Sequence, residues 1–167
     1  MLMTATVPAP VLGRKTKHNT YRYAGGTGTI LIDGSETGGA FALFEAVQMS
    51  GAEPPLHVHE REDETFYLLE GSVAFWVGGQ VHRLEAGDSI FLPRRVAHTF
   101  RIKSPAARVL NYISPAGFEE WFRTLGTPAE SFELPASVAP MSDELRLRAE
   151  ELAPKLGVRM IGPSPEF

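Results

Sequence analysis

The amino-acid sequence predicts an all-β domain over residues 21–115. Three observations support this fold class: the apolar segments are short, polar and apolar residues alternate within them, and glycine or proline separates one segment from the next. Turns that recur roughly every eight to twelve residues are typical of a sandwich or barrel of antiparallel strands. Because each segment is half polar, it can bury only one face and needs a common interior with the others.

The N-terminal part contains a predicted arm and the first strands. Residues 1–20 mix Pro, Thr, Lys and Gly without periodicity, so we expect a flexible arm there. Strands are predicted at Tyr21–Tyr23 and Gly28–Asp33 because glycines bound these segments. The apolar and aromatic content of Phe41–Met49 favours a strand, with a helix as the alternative. The pair Pro54-Pro55 then ends any helix and favours extended backbone.

The central strands are short and follow one another through single turns. Gly71 separates the first two, the Gly78-Gly79 pair forms the next hairpin, and Pro93 and Pro105 precede the last two. The predicted strands are Glu64–Glu70, Ser72–Val77, Gln80–Glu85, Asp88–Leu92, Val96–Lys103 and Arg108–Ser114.

Residues 116–167 are predicted to form a helical extension that packs on the β domain. Apolar residues at positions 118, 121, 122 and 125 have the spacing of an amphipathic helix, and Gly126 suits its C-terminal end. A second helix is predicted over Ser142–Leu156, because acidic residues directly follow the serine. The tail at 161–167 is expected to be extended or frayed.

The composition excludes several classes of site and partner. The chain has 167 residues, which suits one domain, and a net charge of −4 with scattered Lys and Arg residues, so no nucleic-acid partner is expected. The absence of cysteine removes disulfides, thiolate metal sites and cysteine nucleophiles. No apolar run has the length of a signal peptide or a membrane-spanning helix, so we expect a cytoplasmic protein without a membrane partner.

Two histidines and one carboxylate stand out between Gly51 and Gly71. His57 and His59 are two residues apart, so in a strand both side chains project from the same face. Glu64 follows on the next predicted strand. Imidazole is the commonest protein ligand for a transition metal, and a carboxylate can add an oxygen ligand. This combination indicates a metal site.

A third histidine, His98, lies on a strand after a proline turn. If His98 points into the interior, strand alternation places Phe100 and Ile102 on the same face. The same parity points Glu64 and Phe66 inward on their own strand. Three imidazoles and one carboxylate then share an apolar interior. Such a set suits one divalent ion of Fe, Mn, Co, Ni, Cu or Zn, whereas Ca and Mg prefer all-oxygen sites.

The other acidic and histidine side chains near this set are expected at the surface. Glu60, Glu62 and Asp63 lie in a segment that the sequence predicts as a hydrated acidic turn. His82 is close to a predicted hairpin and His18 belongs to the arm, so neither is a candidate metal ligand.

The segment around the first two histidines resembles the first motif of the cupin superfamily. The residues that match this motif, each at its usual spacing, are Gly51-x5-His57-x-His59-x4-Glu64-x6-Gly71. The segment around the third histidine resembles the second motif, and its residues are Gly87-x5-Pro93-x-Arg95-x2-His98-x3-Ile102. That second motif usually carries glycine at position 95 and asparagine at position 102, but the metal ligand at position 98 is present.

The resemblance implies an antiparallel jelly-roll β-barrel that holds a metal ion. The ligands that it implies are His57, His59, Glu64 and His98. Outside the two motifs, Thr37–Glu45 and Gly117–Phe122 are similar to single-domain cupins of the bacterial quercetinase type. The implied activity is that of a metal-dependent dioxygenase that cleaves an aromatic or enolic ring, such as that of a flavonol.

The candidate site residues have distinct expected roles. Glu64 can act both as a metal ligand and as a general base toward a substrate hydroxyl, provided that its carboxylate can turn toward the substrate. Phe66 and Phe100 share the faces of the ligands and are predicted to line the substrate cavity. Ile102 replaces a polar residue of the family, which makes one wall more apolar and suits a flat hydrophobic substrate.

Two alternatives belong to other functional classes. A non-oxidative cupin enzyme, such as an isomerase or hydrolase, would use the same metal cage without oxygen, and a non-catalytic barrel would only bind a small molecule. The expected partners are a small-molecule substrate and O2. A homodimer is also predicted, because the first strands and the aromatic helix at 118–125 offer more apolar surface than a small barrel needs.

Overall fold

The computed structural model describes residues 9–167, which form two antiparallel β-sheets and two short α-helices. The strands are β1 (Thr20–Tyr23), β2 (Gly26–Ile32), β3 (Ala42–Met49), β4 (Leu56–His59), β5 (Asp63–Glu70), β6 (Ser72–Val77), β7 (Gln80–Glu85), β8 (Ser89–Leu92), β9 (His98–Ile102), β10 (Ala106–Ser114), β11 (Thr127–Pro128) and β12 (Val158–Gly162). The helices are α1 (Glu120–Leu125) and α2 (Asp143–Leu152).

The two sheets have the arrangement of an antiparallel jelly roll. The larger sheet has the strand order β11-β1-β2-β3-β10-β5-β8, and the smaller sheet has the order β12-β4-β9-β6-β7. Their inner faces share one hydrophobic core, to which both sheets contribute. On β5, for example, Phe66 and Leu68 are buried whereas Tyr67 is exposed, as strand alternation requires. The predicted fold class is therefore confirmed.

Two strands settle questions that the sequence left open. Ala42–Met49 is a strand and not a helix, because it pairs with β2 on one side and β10 on the other in the middle of the larger sheet. The strand that carries His98 begins at that residue, two residues later than predicted. Arg95 has a positive φ of 65°, and the turn that it forms delays the strand.

The C-terminal segment contains strands as well as the predicted helices. Trp121 and Leu125 of α1 pack against Ala149 of α2, and these residues belong to a second hydrophobic cluster. Val158–Gly162 forms β12, which pairs with β4 at the edge of the smaller sheet and includes the first two residues of the predicted extended tail. β11 likewise pairs with β1. Two strands from the predicted extension thus complete both sheets.

The predicted N-terminal arm lies partly outside the described residues, which begin at residue 9. Residues 9–16 have no regular secondary structure, and Lys17–Asn19 forms a 3-10 turn. The side-chain amide of Asn19 donates a hydrogen bond of 2.7 Å to the carbonyl of Ile30, so the end of the arm is tied to β2. No helix within residues 9–167 is long and apolar enough to cross a membrane.

Candidate metal centre

The four predicted metal ligands lie together between the two sheets. β4 carries His57 and His59, β9 carries His98, and both strands belong to the smaller sheet, whereas Glu64 lies on β5 of the larger sheet. His57 pairs directly with His98 across β4 and β9. Each residue offers one ligand atom, and these atoms all lie within 4.8 Å of one another. All four side chains are buried, with exposed fractions of 8% or less.

The three imidazoles are each oriented by a hydrogen bond at Nδ1. Nδ1 of His57 lies 2.9 Å from the carbonyl of Pro55, and Nδ1 of His98 lies 2.9 Å from the carbonyl of Val96. Nδ1 of His59 lies 3.4 Å from the carboxylate of Glu62. Because each partner can only accept, each Nδ1 donates, and the lone pair is left on Nε2. Histidines that bind metal through Nε2 are held in this way.

The contact between His98 and Glu64 shows whether the four candidate ligand atoms suit a cation. Nε2 of His98 lies 3.0 Å from Oε2 of Glu64, yet this buried nitrogen has no hydrogen-bond partner. With the proton on Nδ1, Nε2 is an acceptor, and an ionised carboxylate is also an acceptor. Two buried acceptors in such contact are unfavourable unless a cation lies between them. The three nitrogens and one oxygen therefore fit a divalent transition metal ion.

The ionisation of the cluster also suits a metal ligand set. Burial, together with the neighbouring His98 and His59, lowers the pKa of His57 to about 4, so His57 is neutral at pH 7. Burial alone raises the pKa of Glu64, but the charges of the adjacent histidines outweigh it and leave the pKa below its usual range. A neutral imidazole and an ionised carboxylate are the forms that bind metal.

His59, unlike His57, has a raised pKa. Burial lowers its pKa, but the carboxylates of Glu64 and Glu62 outweigh burial and raise the pKa above its usual value. Nε2 of His59 lies 3.6 Å from Oε2 of Glu64. A metal ion that binds here has to displace that proton, so metal binding and proton release are coupled.

Glu62 and Asn111 support the ligands, and the sequence did not point to either. Glu62 was expected in a hydrated turn, but it is only 3% exposed and accepts the hydrogen bond from His59. Asn111, on β10, donates from Nδ2 to Oε1 of Glu64 at 3.0 Å. The available signal was strand alternation, because a polar Asn111 stands at an inward position between the apolar Val109 and Ile113.

The aromatic residues predicted to line a cavity lie directly beyond the ligands. The rings of Phe66 and Phe100 are 6.3 Å apart, and Phe75 contacts both, at 5.2 and 5.5 Å. Ile102 lies one step deeper along β9 and belongs to the same hydrophobic core. Phe118, which was predicted on the apolar face of the first helix, precedes α1, and its ring centre lies 4.7 Å from that of His59 in an edge-on arrangement.

A surface groove of about 650 Å³ is lined by residues of the loop at 33–39 and of the segment 116–123, which includes the start of α1. Gly117 forms part of its wall, and a Cβ atom at this position would lie 3.9 Å from Oε1 of Glu62. Glu62 in turn contacts His59. The groove therefore ends one side chain away from the metal ligands.

Comparison with known proteins finds a cupin domain in the part of the chain that carries the four candidate ligands. Residues 44–111 match the family described as "Cupin domain". The chain is 35% identical over 99 residues to a quercetin 2,3-dioxygenase of Bacillus subtilis and 34% identical over 105 residues to a quercetin 2,3-dioxygenase of Aspergillus japonicus. Each match covers 59% of this chain but only 29% and 30%, respectively, of those two proteins.

Solved structures have the same fold. The structure of KdgF from Halomonas sp. gives a TM-score of 0.59 at 20% identity, over 67% of this chain and 99% of that one. An RmlC-like cupin from Shewanella frigidimarina gives a TM-score of 0.51 at 25% identity, over 58% and 83% of the two chains. Residues 44–111, which include the ligand cluster, thus match the cupin domain family, and the chain is similar to quercetin 2,3-dioxygenases.

Proposed function

We propose that this protein is a metal-dependent dioxygenase that acts on an aromatic or enolic small molecule, such as a flavonol. The observation that carries the proposal is the buried set of His57, His59, Glu64 and His98, in which Nδ1 of each imidazole is already engaged outside the cluster. The similarity to two quercetin 2,3-dioxygenases supports the choice of reaction and of substrate class.

The same four residues would hold one divalent transition metal ion. When bound, the ion supplies a Lewis acid for a substrate oxygen and redox chemistry toward O2. The metals that such nitrogen and oxygen ligands accept are Fe, Mn, Co, Ni, Cu and Zn.

Glu64 is the proposed general base. The lowered pKa keeps the carboxylate ionised, which is the form that accepts a proton, and makes it a weak base, so its partner has to be an acidic substrate hydroxyl. The oxygen that would receive this proton is Oε2, which faces the histidines, because Oε1 is held by Asn111. Proton transfer requires a turn of the carboxylate toward the substrate, and the hydrogen bond from Asn111 would serve as the pivot.

Phe66, Phe100 and Ile102 are proposed to form the apolar wall against which a flat substrate packs. Phe66 and Ile102 belong to the hydrophobic core next to the ligands, and Phe100 packs against it. An apolar wall excludes water and protects a reactive intermediate from hydrolysis. A bulky substrate can enter only if side chains move, because the rings of Phe66, Phe75 and Phe100 contact one another.

The remaining partners and the cellular location are also proposed. A small-molecule substrate and O2 are the reactants, and no nucleic-acid or membrane partner is proposed. A cytoplasmic location and a homodimer remain predictions from the sequence. Part of the apolar surface that favoured a dimer is used within the chain, since Trp121 and Leu125 are buried against α2.

The test is oxygen consumption by protein loaded in turn with Fe, Mn, Co and Ni, with quercetin as substrate. We expect uptake of O2 that requires both the flavonol and the metal, and His98→Gln should lower kcat/KM by about a hundredfold or more. His82→Gln is the matched control, because His82 is exposed on β7 and should leave activity unchanged.

Three results would contradict the proposal. The first is an absence of O2 uptake with every metal. The second is equal turnover of the substrate without oxygen, which would favour a non-oxidative cupin enzyme. The third is tight flavonol binding without any product, which would favour a small-molecule-binding barrel.

A further inference from the structure

Asn111 is a buried polar residue at the centre of the larger sheet, next to the metal ligands. It is only 3% exposed, and its partners across β10 are Phe66 on β5 and Phe44 on β3. Its neighbour along the strand, Ile113, pairs with Glu64. Asn111 therefore stands one step beyond Glu64, at the level where the apolar wall begins.

The chemistry of Glu64 fixes which way the amide of Asn111 points. A carboxylate only accepts hydrogen bonds, so the group 3.0 Å from Oε1 must be the NH2 of the amide. This orientation leaves Oδ1 of Asn111 buried without any hydrogen-bond partner. Buried polar atoms are almost always paired, so an unpaired one calls for a reason outside the stability of the residue itself.

The hydrogen bond from Asn111 gives the two carboxylate oxygens of Glu64 different contacts. Oε1 is occupied by the amide, in a contact that is strong because the acceptor is ionised. Oε2 faces the histidines, at 3.0 Å from Nε2 of His98 and 3.6 Å from Nε2 of His59. A carboxylate that is free to rotate can bind one ion through both oxygens and then fills two coordination positions.

We propose that Asn111 is a positioning residue that restricts Glu64 to binding the metal through Oε2 alone. One coordination position is thereby kept free for a ligand from solution. This inference rests on the proposed metal site and assigns to Asn111 the role of keeping that site open. Without the amide, Oε1 has no other buried donor among the contacts of Glu64 and turns toward the ion.

The experiment uses Co2+ as the metal and azide as the ligand from solution. Asn111→Leu keeps the shape of the side chain but removes the amide. Thr27→Val is the matched control, because Thr27 on β2 is also buried with an unpaired hydroxyl and lies outside the metal centre. The affinity for Co2+ and the change of its visible spectrum with azide are measured for the three proteins.

We expect Asn111→Leu to bind Co2+ at least as tightly as the wild type but to need about tenfold more azide, or more, for the spectral change. Thr27→Val should behave like the wild type in both titrations. Equal azide affinity in the wild type and Asn111→Leu overturns the proposal, as does an equal loss in Thr27→Val. A protein that binds no Co2+ at all contradicts the proposed function instead.

A second measurement does not use Asn111→Leu and therefore remains available if that variant does not fold. The infrared difference spectrum between Co2+-bound and metal-free protein reports the carboxylate stretches of Glu64, assigned by their absence in Glu64→Gln. A wide separation of the symmetric and antisymmetric bands is expected for binding through one oxygen. A narrow separation, typical of binding through two oxygens, overturns the proposal.

Discussion

The imidazole of His57 takes up protons at different pH values in the folded and unfolded chain. Burial, with His98 and His59 nearby, lowers its pKa from 6.5 to about 4 in the metal-free protein. Between these two values the unfolded state binds a proton that the folded state does not bind. The free energy of unfolding therefore rises with pH in this window and falls as the pH drops from about 6.5 toward 4.

Urea unfolding of the metal-free wild type and His57→Gln at pH 7 and pH 5 tests this linkage. From pH 7 to pH 5 the wild type should lose about 2 kcal/mol of its free energy of unfolding because of His57. The variant His57→Gln should not show this loss. His59, whose pKa is raised, contributes stability at low pH that is lost as the pH rises, but it is present in both proteins. The same pH dependence in both proteins would contradict the prediction.

Arg95 adopts a backbone conformation that favours glycine. Its φ is 65°, its N–H donates to the carbonyl of His59 at 2.7 Å, and the second cupin motif usually has glycine at this position. Its side chain is 74% exposed and lies 4.0 Å from Glu60, so the ion pair contributes little. Arg95 therefore occupies a strained backbone conformation.

Arg95→Gly should therefore raise the free energy of unfolding by about 1 kcal/mol, because a left-handed conformation costs a residue with a Cβ atom about that much. Arg95→Ala is the control and should give no gain, since alanine also carries a Cβ. Chemical denaturation of the three proteins measures the difference. A glycine variant that is no more stable than the alanine variant would count against backbone strain at this turn.

At the scale of the elements, the strand that carries two of the four ligands depends on the C-terminal strand. β4 meets β9 at a single residue pair, His57 with His98. Its other edge pairs with β12 over several residues, among them Val58 with Arg159. The backbone of Glu60 continues this ladder by donating to Gly157 at 2.8 Å. β12 therefore fixes the course of β4.

Arg159→Pro should weaken metal binding, because proline removes a backbone donor from β12. The loss of one backbone hydrogen bond corresponds to about a tenfold weaker affinity for Co2+. Arg159→Val keeps the donor while removing the exposed contact with Glu60, so it should bind Co2+ like the wild type. Equal affinities in all three proteins would show that β4 is fixed without β12.

At the scale of the whole molecule, a metal ion would join the two sheets. Three ligands belong to the smaller sheet, and Glu64 belongs to the larger one. An ion that binds the folded state and not the unfolded state stabilises the former by mass action. The stability of the entire domain should therefore depend on the concentration of free metal.

Calorimetry with and without Co2+ measures this dependence. At a free concentration of one hundred times Kd, the ion should add about 2.7 kcal/mol to the free energy of unfolding. For a chain of this length that raises Tm by roughly 5 to 10 °C. His98→Gln should show little or no increase. A wild-type Tm that does not respond to Co2+ would argue against an ion between the sheets.

The ligand set and most strands were predictable because the signals are local. His57 and His59 share a face by simple alternation, and glycines mark the hairpins. Strand alternation indicates that Asn111 points inward, but its contact with Glu64 was not predictable, because it joins residues distant in sequence. The burial of Glu62 and of Thr99 also depends on tertiary packing, and the fully buried hydroxyl of Thr99 contacts Pro54 and Ser164.

The pairing of β12 with β4 has a consequence for the order in which the protein is made. Synthesis runs from the N-terminus, so β4 leaves the ribosome long before residues 158–162 exist. During that interval the strand with His57 and His59 has only one residue pair with β9 to hold it. Until residues 158–162 have been synthesised, the nascent chain therefore lacks the strand that fixes the course of the two histidines on β4.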